Sequence, residues 1–369
     1  MFRCFHVSMP LKKEILLSYF PKITHARCRH LIRAFGSLDA AWKAEWNDMK
    51  SLAWEENLVH EFLLWRDELD EARIEQELTD ERITCAIIGD PSYPRLLKEI
   101  YDPPFCLFIR GTLDNADCSL AVVGSRKHSP YGQQATEMLI APIAQAGIPI
   151  VSGLAIGIDS VAHQTALRHG GPTIAVLGGG VDDQHIAPRA HLPLAHEIIK
   201  RHGAVISEYP PGMMPTAYTF PARNRIIAGM TIGTLVIEAA EGSGALITAQ
   251  CALDSNREVF AVPQNITSET SAGVNHLIKT GAKPVLSADD IFEALNLRDI
   301  KQYGTNNDIV PDSPEEAKIL PFLSKEPAHI DTIAKNAVLP TSAISSALTL
   351  MEMKGKVKNL GGMMYVRAR

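Results

Sequence analysis

Six apolar runs of strand length, at 119–123, 148–151, 173–177, 204–206, 234–237 and 258–262, alternate with helix-like segments and constrain this chain more than any other feature. Regular alternation of this kind predicts an α/β architecture, a doubly wound, mostly parallel sheet covered on both faces. Ligands of such sheets bind beyond the carboxyl ends of the strands. The loops at those ends are glycine-rich: Gly124-Ser125-Arg126 after the first run, SGLAIGID with Gly153 after the second, Gly178-Gly179-Gly180 after the third and Glu241-Gly242-Ser243-Gly244 after the fifth. Upstream of the fifth, PTAYTFPARNRIIAGM puts Arg223 and Arg225 in an early helical turn.

The stretch SLAVVGSRKHSPYG is the sharpest local signal. A buried strand turns at Gly124, passes Arg126 and Lys127, and meets Ser129 as a helix cap with Pro130 in the first helical position. Backbone donors, the positive end of a helix and two cations predict an anion seat.

Composition narrows the class. A chain of 369 residues, 46% of them hydrophobic, buries a large core and holds more than one domain. A net charge of -6 excludes a uniformly basic nucleic-acid binder but leaves room for a local basic cleft. The six cysteines are scattered, with no CxxC pair and no histidine at ligand spacing, so reduced thiols are expected and no metal site or disulfide framework. With no apolar leader and no run long enough to cross a bilayer, the expectation is a soluble, cytoplasmic protein without a membrane partner.

Along the chain, residues 1–81 read as a small helical domain in which Gly36 stops a helix. Its basic residues (Lys12, Lys13, Lys22, Arg27, Arg29, Arg33) suggest a DNA-contacting module. The turn KITHAR lacks the glycines that would let its backbone approach phosphate, which favours a solvated face. From Arg82 the composition changes, and ITCAIIGDPSYP and PPFCLFIRG read as two strands opening a core over 82–297. A polar linker is expected over 298–313. From 314 to 369, helices at 315–323, 330–337 and 341–353 and a hairpin turning at Gly361-Gly362 predict a winged-helix domain. Its third helix offers serines, threonines and alanines rather than base-reading side chains, which favours a protein-contact or weak DNA-contact role. Lys354, Lys356 and Lys358 stand as phosphate contacts or as a solvated wing.

Other chemistries fit the residues less well. A nicotinamide or flavin site needs GxGxxG after the first strand, which VVGSRKHS does not supply, and no GxxxxGK[ST] phosphate loop occurs. Asp159 and His163 share a helix face, but no third ligand or nucleophile completes a site, so Asp159 is expected to tie down backbone N–H groups. Glu208 and Glu238 at strand ends stand as general bases or, preferably, as anchors for loop backbone or an arginine. Phe220 stands equally as a stacking platform beside phosphate clamps or as packing; Tyr218 reads as packing.

In order and spacing, VVGSRKHSPYG, VSGLAIGIDSVAHQTAL, AVLGGGVD, SEYPPG, FPARNRIIAGM, TLVIEA, SGALITAQCALDSNREVFAVP and GVNHLIKTGAK resemble the DNA-processing protein A family (DprA, also called Smf), densely over about 83–286. The resemblance implies an extended Rossmann-like core with a helical, SAM-like N-terminal domain and a C-terminal winged helix. It also implies a homodimer without cofactor or catalytic residues, which binds single-stranded DNA without hydrolysing it. Such a protein would protect incoming DNA and help load RecA in competence, natural transformation and recombination. By that analogy Arg126, Arg189, Phe220, Arg223, Asn224 and Arg225 join Gly124, Ser125, Lys127, Gly153, Gly242, Ser243 and Gly244 as DNA-binding candidates. Where the family's SGLAxGID motif often carries a basic residue, this chain has Ile156. Val274, Leu277 and Ile278, at helical spacing, are the candidate dimer patch. Two other classes stay open: an enzyme acting on nucleotides through Glu238, and a RecA-facing adaptor in which DNA binding is secondary.

Overall fold

The computed structural model describes residues 11–50, 52, 54–113, 118–297, 313–323, 328–337, 339–354, 356–359 and 361–367. Except for Ser313, the linker expected over 298–313 lies outside the described residues. The chain divides into two compact units, one up to Leu295 and one from Asn296.

The first unit is organised by a nine-stranded sheet. Its strands are β1 (Thr84–Ile87), β2 (Cys106–Gly111), β3 (Leu120–Val123), β4 (Ile150–Ser152), β5 (Thr173–Val176), β6 (Ala204–Ser207), β7 (Gly233–Val236), β8 (Glu258–Ala261) and β9 (Lys283–Pro284), in the order β1-β2-β6-β5-β4-β3-β7-β8-β9. From β6 to β9 all pairings are parallel; β1 and β2 add an antiparallel edge. All six expected strands are present. The chain steps from β3 through β4 and β5 to β6 on one side, then crosses back so that β7 lies on the other side of β3. This reversal leaves a crevice at the carboxyl ends of β3 and β7.

Both faces of the sheet are buried, and side-chain alternation sorts residues between them. Ala175, Leu177, Cys106 and Phe108 enter one apolar cluster; Ile174, Val176, Leu107 and Ile109 enter the other. The first cluster continues into the N-terminal helices, through Leu16, Leu31 and Phe62, with Tyr19 meeting Phe108 edge-on at 6.0 Å. One helix there, His25–Phe35, ends at Gly36 as expected. The basic residues of this region are partly consumed locally: Lys12 pairs with Asp90 (2.9 Å), Lys13 with Glu71 (2.9 Å) and Lys22 with Glu61 (2.5 Å). That supports the structural reading of this basic face.

The candidate dimer patch needs one correction. Val274 is completely buried in the second cluster, and Leu277 and Ile278 are half-buried against it. Val274 thus faces its own sheet and has no surface to offer a partner, while Leu277 and Ile278 keep part of theirs.

In the second unit, Pro314–Ile319, Ile330–Ala337 and Thr341–Met353 are helices, and a three-stranded sheet joins β10 (Ala328–His329), β12 (Met364–Arg367) and β11 (Val357–Asn359). A strand also precedes the second helix, where the sequence predicts none. Its two residues are too few to show a period. Ser346 and Thr349 donate to carbonyls of their own helix, at Ser342 (3.1 Å) and Ser345 (2.8 Å). Lys354 and Lys356 converge on buried Glu316, at 3.1 and 2.6 Å. Both lysines therefore brace the unit's fold, a role that neither the phosphate-contact nor the solvated-wing reading assigns them.

Candidate nucleic-acid interface

Beyond the carboxyl ends of β3 and β7 lies a cleft of about 590 Å³. The loop after β3 supplies Gly124, Ser125, Arg126 and Lys127. The N-terminal halves of three helices complete the wall: Ile158–Arg168 with Asp159, Thr219–Gly229 with Phe220, Arg223 and Asn224, and Gly244–Asp254 preceded by Ser243. Helix starts carry partial positive charge and N–H donors, so three of them around one cleft favour an anion there.

The helix Pro130–Gln145 contributes less than expected. Ser129 caps it, with Pro130 in the first turn, as the sequence indicates. Glu238, fully buried, accepts from the Ser129 backbone N–H (2.9 Å) and hydroxyl (2.5 Å), while the Ser129 hydroxyl also takes the Gly132 N–H (3.1 Å). Donors expected to face an anion are satisfied internally. Positive charge at this wall comes from Arg126 and Lys127, both exposed, neither in an ion pair with another described residue. The Arg126 guanidinium lies 5.8 Å from the centre of the Phe220 ring, within cation–π range.

Arg223 occupies a different role from the phosphate clamp expected of it. It is 4% exposed, donates to the carbonyls of Gly153 (2.9 Å) and Val176, and faces buried Asp159. Asp159 accepts from the N–H groups of Gly153 (3.1 Å) and Ala155 (3.4 Å). Burial pushes Arg223 down to about 10 and Asp159 up from the usual carboxylate range, while the charge of each partner opposes both shifts. Arg223 ties the end of β5 to the loop after β4, whose backbone Asp159 holds from the other side. Gly153 accordingly acts through its backbone, behind the cleft wall.

Arg225 points elsewhere. Glu208 holds it through two contacts of 2.9 and 2.6 Å, with Asp102 at 3.5 Å, in a separate depression beside Thr24 and His25. Arg189 is exposed on the short turn Arg189–His191, donates to the Asp183 carbonyl and does not line the cleft. Gly242 forms the turn before Ser243. Hence Gly124, Ser125, Arg126, Lys127, Phe220, Arg223, Asn224, Ser243 and Gly244 meet at the cleft, while Gly153, Arg189, Arg225 and Gly242 do not line it.

Among the described cleft-lining residues Asp159 is the one carboxylate, and it is held as above. Glu238 and Glu208, the candidate bases, anchor a helix start and Arg225. His163 meets Thr173 (2.7 Å) rather than Asp159, and burial lowers its pKa to about 3. Among the described residues no group of three or more histidine, cysteine or acidic side chains is placed to hold a metal, and no helix is long and apolar enough to cross a membrane.

Residues 84–296 match the model of the DNA recombination-mediator protein A family, and residues 305–363 match that of the DprA winged helix domain. The chain is 40% identical to protein Smf of Escherichia coli over 75% of each sequence, and 43% identical to DNA processing protein DprA of Bacillus subtilis over 60% of this chain and 74% of that one. Its structure is similar to that of DprA from Streptococcus pneumoniae, with a TM-score of 0.67 and 35% identity, covering 77% of this chain and 98% of that one. It is also similar to DNA processing protein A from Helicobacter pylori, a protein described for its single-stranded DNA binding mode (TM-score 0.52, 27% identity, 58% of this chain and 96% of the other).

Proposed function

The chain belongs to the DNA recombination-mediator protein A family, and we propose that it binds single-stranded DNA in the β3–β7 cleft without cleaving it. The observation that carries this reading is the Arg126–Phe220 pair. An exposed cation and an aromatic face share one wall of a cleft ringed by three helix starts, and its one carboxylate is already committed. Phosphates would sit at the helix starts and beside Arg126 and Lys127, with a base stacked on Phe220. The single-stranded DNA binding described for the Helicobacter pylori relative supports the choice of ligand. In the cell, such a protein would protect incoming DNA and assist RecA loading during natural transformation.

Salt dependence gives the test. For a single strand, each phosphate neutralised contributes about 0.7 to the slope of log affinity against log salt. Arg126→Ala is expected to weaken binding to all sequences alike and to lower that slope by about 0.7. Fluorescence anisotropy across a salt series reads both quantities. Unchanged affinity and slope would place the strand elsewhere.

Homodimerisation belongs to the same proposal, now resting on Leu277 and Ile278 without Val274. Leu277→Glu is expected to yield a folded monomer by light scattering combined with circular dichroism. An unfolded variant would mean that Leu277 serves only its own core.

A further inference from the structure

We propose that His191 is a positioning residue for the cleft, fixing the loop after β4 and through that loop the seat of Arg126; this rests on the single-stranded DNA reading above. His191 closes the segment HIAPRAH, whose Arg189 does not line the cleft. It is half-buried where the turn Arg189–His191 meets the helix Leu192–Lys200, and its Nδ1 lies 2.8 Å from the Leu154 carbonyl oxygen. A ring nitrogen that faces a carbonyl is the one carrying the proton, so His191 donates.

Leu154 needs such a partner. It is completely buried at φ 58°, in the left-handed region that residues other than glycine rarely adopt, and a strained residue persists only where its surroundings over-determine it. Three side chains do so here. Asp159 accepts from the N–H groups on either side of Leu154, Arg223 donates to the Gly153 carbonyl, and His191 holds the Leu154 carbonyl itself. Of the three, His191 alone does not line the cleft, so removing it deletes no contact with a strand bound there. The residues that follow carry the loop's position to the cation. Ala155 lines the cleft, Gly157 packs against the Ser125 carbonyl and the Arg126 α-carbon, and the Ile158 N–H donates to the Ser125 carbonyl (3.2 Å). Without the His191 bond Leu154 is free to leave its strained conformation, and the residues pressed against Ser125 and Arg126 shift with it. The Arg126 guanidinium is then no longer held against the Phe220 ring.

Affinity for an unpaired oligonucleotide, read by fluorescence anisotropy in two backgrounds, tests this. His191→Ala is expected to weaken binding about three- to ten-fold in the parent, and by less than about two-fold where Arg126 is already alanine, because no guanidinium is left to misplace. His191→Asn should stay within about two-fold of the parent, since its amide nitrogen can take the place of Nδ1 and donate to the same carbonyl. A side chain serving only the fold would lower the urea midpoint and leave the affinity of the folded protein unchanged. Should His191→Ala fail to fold, His191→Gln, whose amide reaches the position of Nε2 instead, replaces it. If the variant binds like the parent while Arg126→Ala is weakened, if its losses in the two backgrounds are equal, or if His191→Asn is as weak, the positioning role is refuted and the cleft reading stands. If the parent binds no strand, or Arg126→Ala is unaffected, both fall.

Discussion

Replacing Arg223 by methionine is expected to lower the unfolding free energy by about 2–5 kcal/mol, since buried acceptors left without their donor cost about 1–3 kcal/mol each. The loss has two sources. Asp159 stays behind without the cation that offsets its burial, and the carbonyls of Gly153 and Val176 lose their side-chain donor. Asp159→Asn strands Arg223 in the same way. The double variant should cost less than the two single losses added together, because neutralising both removes the unpaired charge. Urea unfolding of the four proteins reads this coupling. Single variants each costing under about 1 kcal/mol, with additive effects, would show that Arg223 and Asp159 neither brace this site nor feel one another's charge.

Arg223 also shows where sequence reading stops. The strands of the parallel sheet were legible because each is a short run of apolar, mostly β-branched residues between turn and helix segments, a property of consecutive positions. The Ser129 cap was legible for the same reason. Which arginine enters the cleft depends on direction. Two residues along a helix turn a side chain by about 200°, so Arg223 and Arg225 could not have shared a face, and the helical period held that information. Nothing in the sequence, by contrast, said that Glu208 would take Arg225 and the carbonyls of Gly153 and Val176 would take Arg223; those partners arrive through long-range packing. Val274 failed for a related reason. A stripe at three- and four-residue spacing looks identical whether it meets its own sheet or another copy. Tyr218 erred the opposite way: it reads as packing yet is 88% exposed, and exposure of a loop aromatic is decided by what fails to pack over it. The Ser129 helix start misled because its satisfying acid, Glu238, is 109 residues away.

Gly157→Ala is the other substitution expected to have a large effect, and Gly242→Ala is its control. Gly157 sits at φ 95°, ψ -134°, a region essentially restricted to glycine. A β-carbon there would lie 2.2 Å from the Ser125 carbonyl oxygen and 2.8 Å from the Arg126 α-carbon. Backbone strain and overpacking therefore fall on one residue, and the loop that must yield is the one carrying Arg126. The expected cost is about 2–5 kcal/mol. On the proposed function, strand affinity falls at least as far as in Arg126→Ala, because the guanidinium moves with the loop. Gly242 is also left-handed, at φ 74°, but a β-carbon there would meet nothing within 4 Å. Only the intrinsic conformational penalty remains, about 1–2 kcal/mol. Urea midpoints distinguish the cases. Equal, small losses in both variants would mean that the loop after β3 yields freely, and Arg126 would then not be held in place against Phe220 by the Gly157 contact.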